Sequence, residues 1–159
     1  MEKLSSSMQL TRGADYAVRA LVHLAELPAG KRVMLPDLAR LTDTPKDFLS
    51  KVLQALGRAG FIGSKRGQNG GFEILAAGRC ATVKAAIEAL DGPIQLNLCV
   101  SPEEHCRRRN HCPVHPLWAC AQRAVVRVLD SETIESLAKG NRCCGSPDII
   151  QKRMERFSS

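Results

Sequence analysis

Acidic residues, aromatic rings and long apolar runs are all scarce in this chain, and each shortage narrows what it can be. Sixteen Asp and Glu face 23 Lys and Arg, leaving a formal net charge of +7 and a pI near 9.3. That imbalance favours a polyanionic partner, either nucleic acid or an anionic surface, and says nothing about fold. Only six side chains are aromatic, although 44% of the 159 residues are apolar, enough for a core. The length suits one domain, or one compact domain with a helical extension. No apolar run approaches a membrane span. The opening MEKLSSSMQLTRGADY lacks a charged n-region followed by an apolar h-region. A soluble cytoplasmic protein with no membrane partner is therefore expected. Also missing are a substrate-pocket signature, a nucleophile–base pair and a cofactor loop. Gly67 to Gly71 lack the strand–loop–helix context of a phosphate cradle. No enzyme, and no small-molecule substrate, is expected.

Cysteine is present in quantity. The seven cysteines are odd in number, and Cys80, Cys120, Cys143 and Cys144 lie apart from the other three. Reduced cysteines and a metal site fit this better than an oxidised disulfide framework.

The chain reads in order as follows. Met1 to Ser7 is Ser-rich and expected to be flexible. A helix from Thr11 carries Ala17, Ala20, Leu21, Leu24 and Ala25 at helical spacing, stopped by Leu27-Pro28-Ala29-Gly30. A short helix after Pro36 buries Leu38, Ala39 and Thr42. Thr44-Pro45 then reads as an N-cap followed by proline at the first helical position. The helix it opens buries Leu49, Val52, Leu53 and Leu56, and Ala59-Gly60 closes it. Phe61–Arg66 and Gly71–Leu75 read as two strands joined by the glycine-rich tip Gly67-Gln68-Asn69-Gly70. Thr82 caps a further helix holding Val83, Ile87 and Leu90, ended by Asp91-Gly92-Pro93. After Pro116 a long helix shows Leu117, Ala121, Ala124, Val125 and Val128 on one side, widened by Trp118 and Leu129. That is a broader apolar face than an isolated helix of a small domain needs. Ser131 to Lys139 holds one more short helix, and the basic tail after Gly140 reads as flexible.

Two helices joined by a tight turn, then a basic hairpin, is the order of a winged helix-turn-helix. The second helix shows Thr44, Lys46, Asp47, Ser50, Lys51 and Gln54 to solvent, and the hairpin adds Lys65, Arg66, Gln68 and Asn69. Polar side chains for the major groove beside a basic tip suit both phosphate contact and base readout. Arg66 is placed to enter the minor groove. Charges alone would read as one solvated face; the order of elements and the hairpin's glycines favour double-stranded DNA.

The remaining cysteines gather in Cys99 to His115, CVSPEEHCRRRNHCPVH. Cys99 is followed by six residues to Cys106, five to Cys112 and two to His115, a Cys3His set of four ligands. Structural zinc usually takes at least one close Cys-x2-4-Cys knuckle, and none occurs in the loop. The wider spacing suits an iron–sulfur cluster, with zinc open as the alternative. Pro102, Pro113, Glu103, Glu104 and Arg107, Arg108 and Arg109 make the segment too polar for core. The three arginines read as a solvated run. His105 and His111 rank as spare, since only His115 falls where loop becomes helix. Cys80 and Cys120 are expected as small buried residues; Cys143 and Cys144 imply no partner.

Several motifs then converge. MQLTRGADYAVRAL at Met8–Leu21, KRGQNGGFEIL at Lys65–Leu75, ALDGPI at Ala89–Ile94 and LDSETIESLA at Leu129–Ala138 keep their order and spacing. In these the chain resembles the Rrf-type bacterial regulators, the group that includes IscR, NsrR and RirA. The resemblance covers roughly Met8 to Lys139. It implies a homodimeric transcription regulator, joined by the long helix, whose operator binding is controlled by an iron–sulfur cluster sensing iron, redox state or nitric oxide. It carries over Cys99, Cys106 and Cys112 as cluster ligands. CPVHPLW at Cys112–Trp118 resembles IscR, making His115 the fourth ligand. Asp15 matches the position at which NsrR-like members supply an aspartate to the partner subunit's cluster. Cys3His implies 2Fe–2S and Cys3Asp implies 4Fe–4S, and both stay open. The gap after Cys99 is one residue longer than the family's usual five.

The expected architecture is mainly α with a small β-hairpin wing. Residues 1–7 form an extension, 8–92 the winged domain, 93–115 the cysteine-rich loop, 116–140 the dimerisation and closing helices, and 141–159 the tail. The rival reading is a zinc-stabilised winged-helix adaptor that binds protein.

Overall fold

The computed structural model describes residues 10–67, 70–101 and 106–140. Helix α1, Arg12–Glu26, is the axis of the core. It begins where Thr11 Oγ1 accepts from the Ala14 amide at 3.2 Å, satisfying one of the amides that a helix start leaves unpaired. Ala17, Ala20, Leu21, Leu24 and Ala25 are all buried, as their spacing predicts. The small alanines let neighbouring helices approach closely.

Helices α2, Leu35–Leu41, and α3, Lys46–Arg58, form the helix-turn-helix. Thr42 closes α2 with its hydroxyl donating to the Leu38 carbonyl at 2.8 Å. Asp43 then takes φ +50°, a left-handed conformation that Asp tolerates better than most residues. Thr44 departs from expectation. Pro45, not Thr44, occupies the N-cap of α3, and no side chain caps it. Thr44 is buried and its hydroxyl donates to the Thr42 carbonyl at 3.2 Å, so it stabilises the turn instead. Leu49, Val52, Leu53 and Leu56 are buried as expected. At the far end Gly60, at φ +76°, donates to the Gly57 carbonyl while Phe61 donates to Leu56, both at 3.0 Å. This paired closure needs glycine at the left-handed position.

Strands β1, Ile62–Lys65, and β2, Gly71–Ile74, pair antiparallel with Ile62 opposite Ile74 and Lys65 opposite Gly71. Val33 bridges Phe72 with hydrogen bonds of 2.8 and 2.9 Å, tying the hairpin to the segment before α2. The tip residues Gln68 and Asn69 lie outside the described residues.

A short helix α4, Ala76–Cys80, follows β2 in a stretch to which the sequence pattern assigns no element. Helix α5, Val83–Asp91, is capped by Thr82 and ends at Gly92. A linker leads to a single 3-10 turn, Leu98–Val100, and then to α6, His115–Asp130. Helix α7, Ile134–Ala138, returns to α1 and buries Ile134 completely. Thr133 both caps α7 and bridges to Thr82.

Helix α6 differs from the others in having no buried residue. Its inner side meets α5 and the 3-10 turn, while Leu117 is 65% and Val128 52% exposed. The architecture is the expected one, mainly helical with a hairpin wing. Among the described residues no helix is long and apolar enough to cross a membrane.

Candidate nucleic-acid interface and metal centre

The outer face of α3 carries Lys46, Asp47, Lys51 and Gln54 exposed and Ser50 half-buried. On the wing, Lys65 and Arg66 are exposed beside it. Among the described residues no acidic side chain pairs with Lys46, Lys51, Lys65 or Arg66, so their charge is available to an anion. Thr44, expected on this face, is withdrawn from it because its side chain is buried in the turn. Phe48 joins the face unexpectedly. The residue is 42% exposed, and its ring stands edge-on to Tyr16 with centroids 5.5 Å apart. The sequence signal was present, an aromatic residue one position off the Leu49 side, but was hidden among polar neighbours.

The cysteine loop is anchored at both ends. Cys99 lies in the 3-10 turn packed against α6. At the other end the Cys112 carbonyl accepts from the His115 amide at 3.2 Å, which places Cys112 just ahead of the helix start. Between them the Cys106 carbonyl accepts from the Arg109 amide at 3.0 Å, forming a turn. Arg107, Arg108, Arg109 and His111 are exposed, as a solvated run would be. Cys99, Cys106 and Cys112 are all free and partly exposed.

His115 is the first residue of α6, and its Nε2 is buried with no hydrogen-bond partner. A buried polar atom without a partner is costly, and a neutral imidazole nitrogen is a common metal donor. Three unpaired thiols and one orphaned imidazole nitrogen therefore fit a soft metal or an iron–sulfur centre as a donor set. Among the described residues, however, no three His, Cys, Asp or Glu side chains converge on one point. His105 lies outside the described residues, as do Cys143 and Cys144.

Asp15, the other fourth-ligand candidate, stands on the exposed side of α1. Arg19 grips both its oxygens, Nη2–Oδ2 at 2.7 Å and Nε–Oδ1 at 3.2 Å. Cys80 and Cys120, expected to be buried, are both exposed. Cys80 ends the short surface helix α4, and Cys120 lies on α6, which buries none of its residues.

A helix-turn-helix with a basic hairpin wing, followed by an exposed apolar helix, defines a winged-helix DNA-binding protein. Residues 10–140 match the Rrf2 family model, described as an iron-dependent transcriptional regulator, and the chain belongs to that family. Rrf2 proteins are transcription regulators rather than enzymes; they bind DNA and are typically dimeric. Among solved structures it is similar to CymR of B. subtilis, called the global cysteine regulator, at 26% identity and TM-score 0.67. That likeness covers 84% of this chain and 98% of CymR. IscR of T. potens shares the fold at 21% identity and TM-score 0.67, over 87% of this chain and 91% of IscR. The oxidized form of Staphylococcus aureus CymR does so at 23% identity and TM-score 0.65, over 82% and 95% of the two chains.

Proposed function

We propose that this regulator is a cytoplasmic homodimer whose operator affinity is set by an iron–sulfur cluster in the Cys99–His115 loop. The observation that carries the reading is the orphaned Nε2 of His115 at the head of α6, close behind Cys112. Cys99, Cys106 and Cys112 would hold the cluster with His115 as fourth ligand. Asp15 of the partner subunit is the alternative; within one chain it forms a half-exposed ion pair with Arg19. When bound, the cluster supplies a centre that responds to iron supply, oxidation or nitric oxide.

The chain's own residues do the rest. Lys46, Asp47, Ser50, Lys51 and Gln54 face the major groove, while Lys65 and Arg66, with Gln68 and Asn69 at the tip, contact the wing's side of the duplex. The exposed stripe Leu117, Val125 and Val128 on α6 supports dimerisation through that helix, since burying it against a second copy removes apolar surface from water. Residues 8–92 then read DNA, 93–115 sense and 116–140 dimerise. Regulation needs only two coupled states of different DNA affinity.

Anaerobic purification followed by iron, sulfide and zinc analysis, with absorption and Mössbauer spectra of His115→Ala and Asp15→Ala, tests this. The reading predicts brown protein whose spectrum changes in His115→Ala. Colourless protein with stoichiometric zinc would sink the iron–sulfur part, and loss of salt-dependent DNA binding as well would favour a zinc-stabilised adaptor.

A further inference from the structure

The linker between the DNA-reading domain and the cysteine loop is hydrogen-bonded to α6 through the side chain of Gln122. Gln122 Oε1 accepts from the Leu96 amide at 2.9 Å, and Gln122 Nε2 donates to the Ile94 carbonyl. These two backbone groups flank Gln95, so the side-chain amide pairs with the linker much as a residue of a parallel strand would. A side-chain amide offers a donor and an acceptor side by side at one tip. A glutamate lacks the donor and a leucine lacks both. From the opposite side Glu88 Oε1 accepts from the Ile94 amide at 3.4 Å, while its Oε2 holds Lys84 Nζ at 2.9 Å.

Position gives the clamp its significance. Gln122 lies seven residues beyond His115 on the same helix, about two turns and ~10 Å along one face. Leu96 lies three residues before Cys99. One face of α6 thus starts at one candidate ligand and holds the approach to another. The linker's other end follows Asp91 at the end of α5, whose carboxylate accepts from the Thr11 hydroxyl at 2.7 Å. Thr11 is the cap of α1, which packs directly on α3. A continuous hydrogen-bonded and packed route therefore joins α6 to the DNA-reading helix.

We propose that Gln122 is a positioning residue that couples the cysteine loop to the winged domain, making linker and α6 move as one body. This rests on cluster control of operator binding. Without the clamp, a rearrangement at Cys99 would be absorbed by the linker, leaving only the direct packing of α6 on α5 to pass it on.

The test uses the full chain with Gln122→Leu, which removes both bonds, and Gln122→Glu, which keeps the acceptor for Leu96. In cluster-free protein, amide hydrogen exchange at Leu96 is expected to quicken about tenfold in Gln122→Leu and to stay near native in Gln122→Glu. In promoter-DNA titrations, the ratio of affinities between cluster-loaded and cluster-free protein should collapse toward one in Gln122→Leu and fall only partly in Gln122→Glu. Unchanged Leu96 exchange in Gln122→Leu would show that no clamp exists. A native-sized affinity ratio in that variant would overturn the coupling. A native protein indifferent to loading would sink cluster control and the coupling with it, whereas the exchange result reports on the clamp alone.

Discussion

Arg79→Met should cost this protein far more than loss of any of its surface ion pairs. Arg79 lies on α4 yet serves α1, with Nη1 donating to the Ala25 carbonyl at 2.8 Å and Nη2 to Leu27 at 2.7 Å. These carbonyls close the C-terminal end of α1, where negative partial charge gathers and a cation is favoured. Charge-assisted bonds contribute ~1.5–3 kcal/mol each when shielded. Arg79 is only half-buried, and water can reach part of the vacated site, so about 2–3 kcal/mol for the pair is the reasonable sum. Arg79→Lys keeps the charge but loses the fork, and should cost roughly half as much. By contrast the Arg40–Asp37 pair has side chains 80% and 56% exposed, so Arg40→Met should be close to neutral. Urea denaturation of the three variants at one protein concentration measures this, since the midpoint shifts at constant slope. Arg79→Met within about 0.5 kcal/mol of native would refute the reasoning.

Gly78→Ala should destabilise by about 2–3 kcal/mol, because the added Cβ would lie 2.1 Å from the Phe61 carbonyl oxygen, a backbone atom that cannot swing aside. A urea midpoint unchanged from native would contradict that packing. Lys65→Ala should weaken DNA binding similarly across sequences and lower the log–log salt slope by about one; an unaltered slope would place Lys65 away from the phosphates. Lys84 holds its proton above a lysine's usual range, chiefly because Glu88 accepts a hydrogen bond from its ammonium at 2.9 Å. A raised folded pKa contributes stability below the unfolded lysine value and loses it as pH rises through the folded value. The stability gap between native protein and Lys84→Met should therefore persist through neutral and mildly alkaline pH and close only in strong alkali. Closure between roughly pH 7 and 9 would be the wrong sign of shift.

Legibility followed the range of each interaction. The core of α1, its start at Thr11 and the cap at Thr82 rest on neighbours within four residues, and periodicity and capping rules reach that far. Thr44 shows the limit. Its Thr-Pro signal matches a helix start, yet packing buried the hydroxyl in the preceding turn and left Pro45 as the cap. Helix α4 spans five residues, too few for a period to register. Cys80 and Cys120 were placed inside because small apolar residues usually are, and both fell on surfaces the single chain does not cover. The donor spacing of the loop was readable, whereas the orphaned nitrogen of His115 depends on packing around α6. Arg79 and Gln122 were invisible for the same reason, their partners lying as far as 54 and 28 residues away in sequence.

The central claim, that a cluster held by Cys99, Cys106, Cys112 and His115 sets DNA affinity, meets its most direct test in one titration. Promoter DNA would be titrated anaerobically, at fixed salt, with cluster-loaded protein and with the same preparation stripped by a chelator. The account predicts dissociation constants at least about tenfold apart, near 1.4 kcal/mol of coupling. It also predicts that the difference disappears in Cys106→Ser. Equal affinities in the two states of the native protein would contradict it.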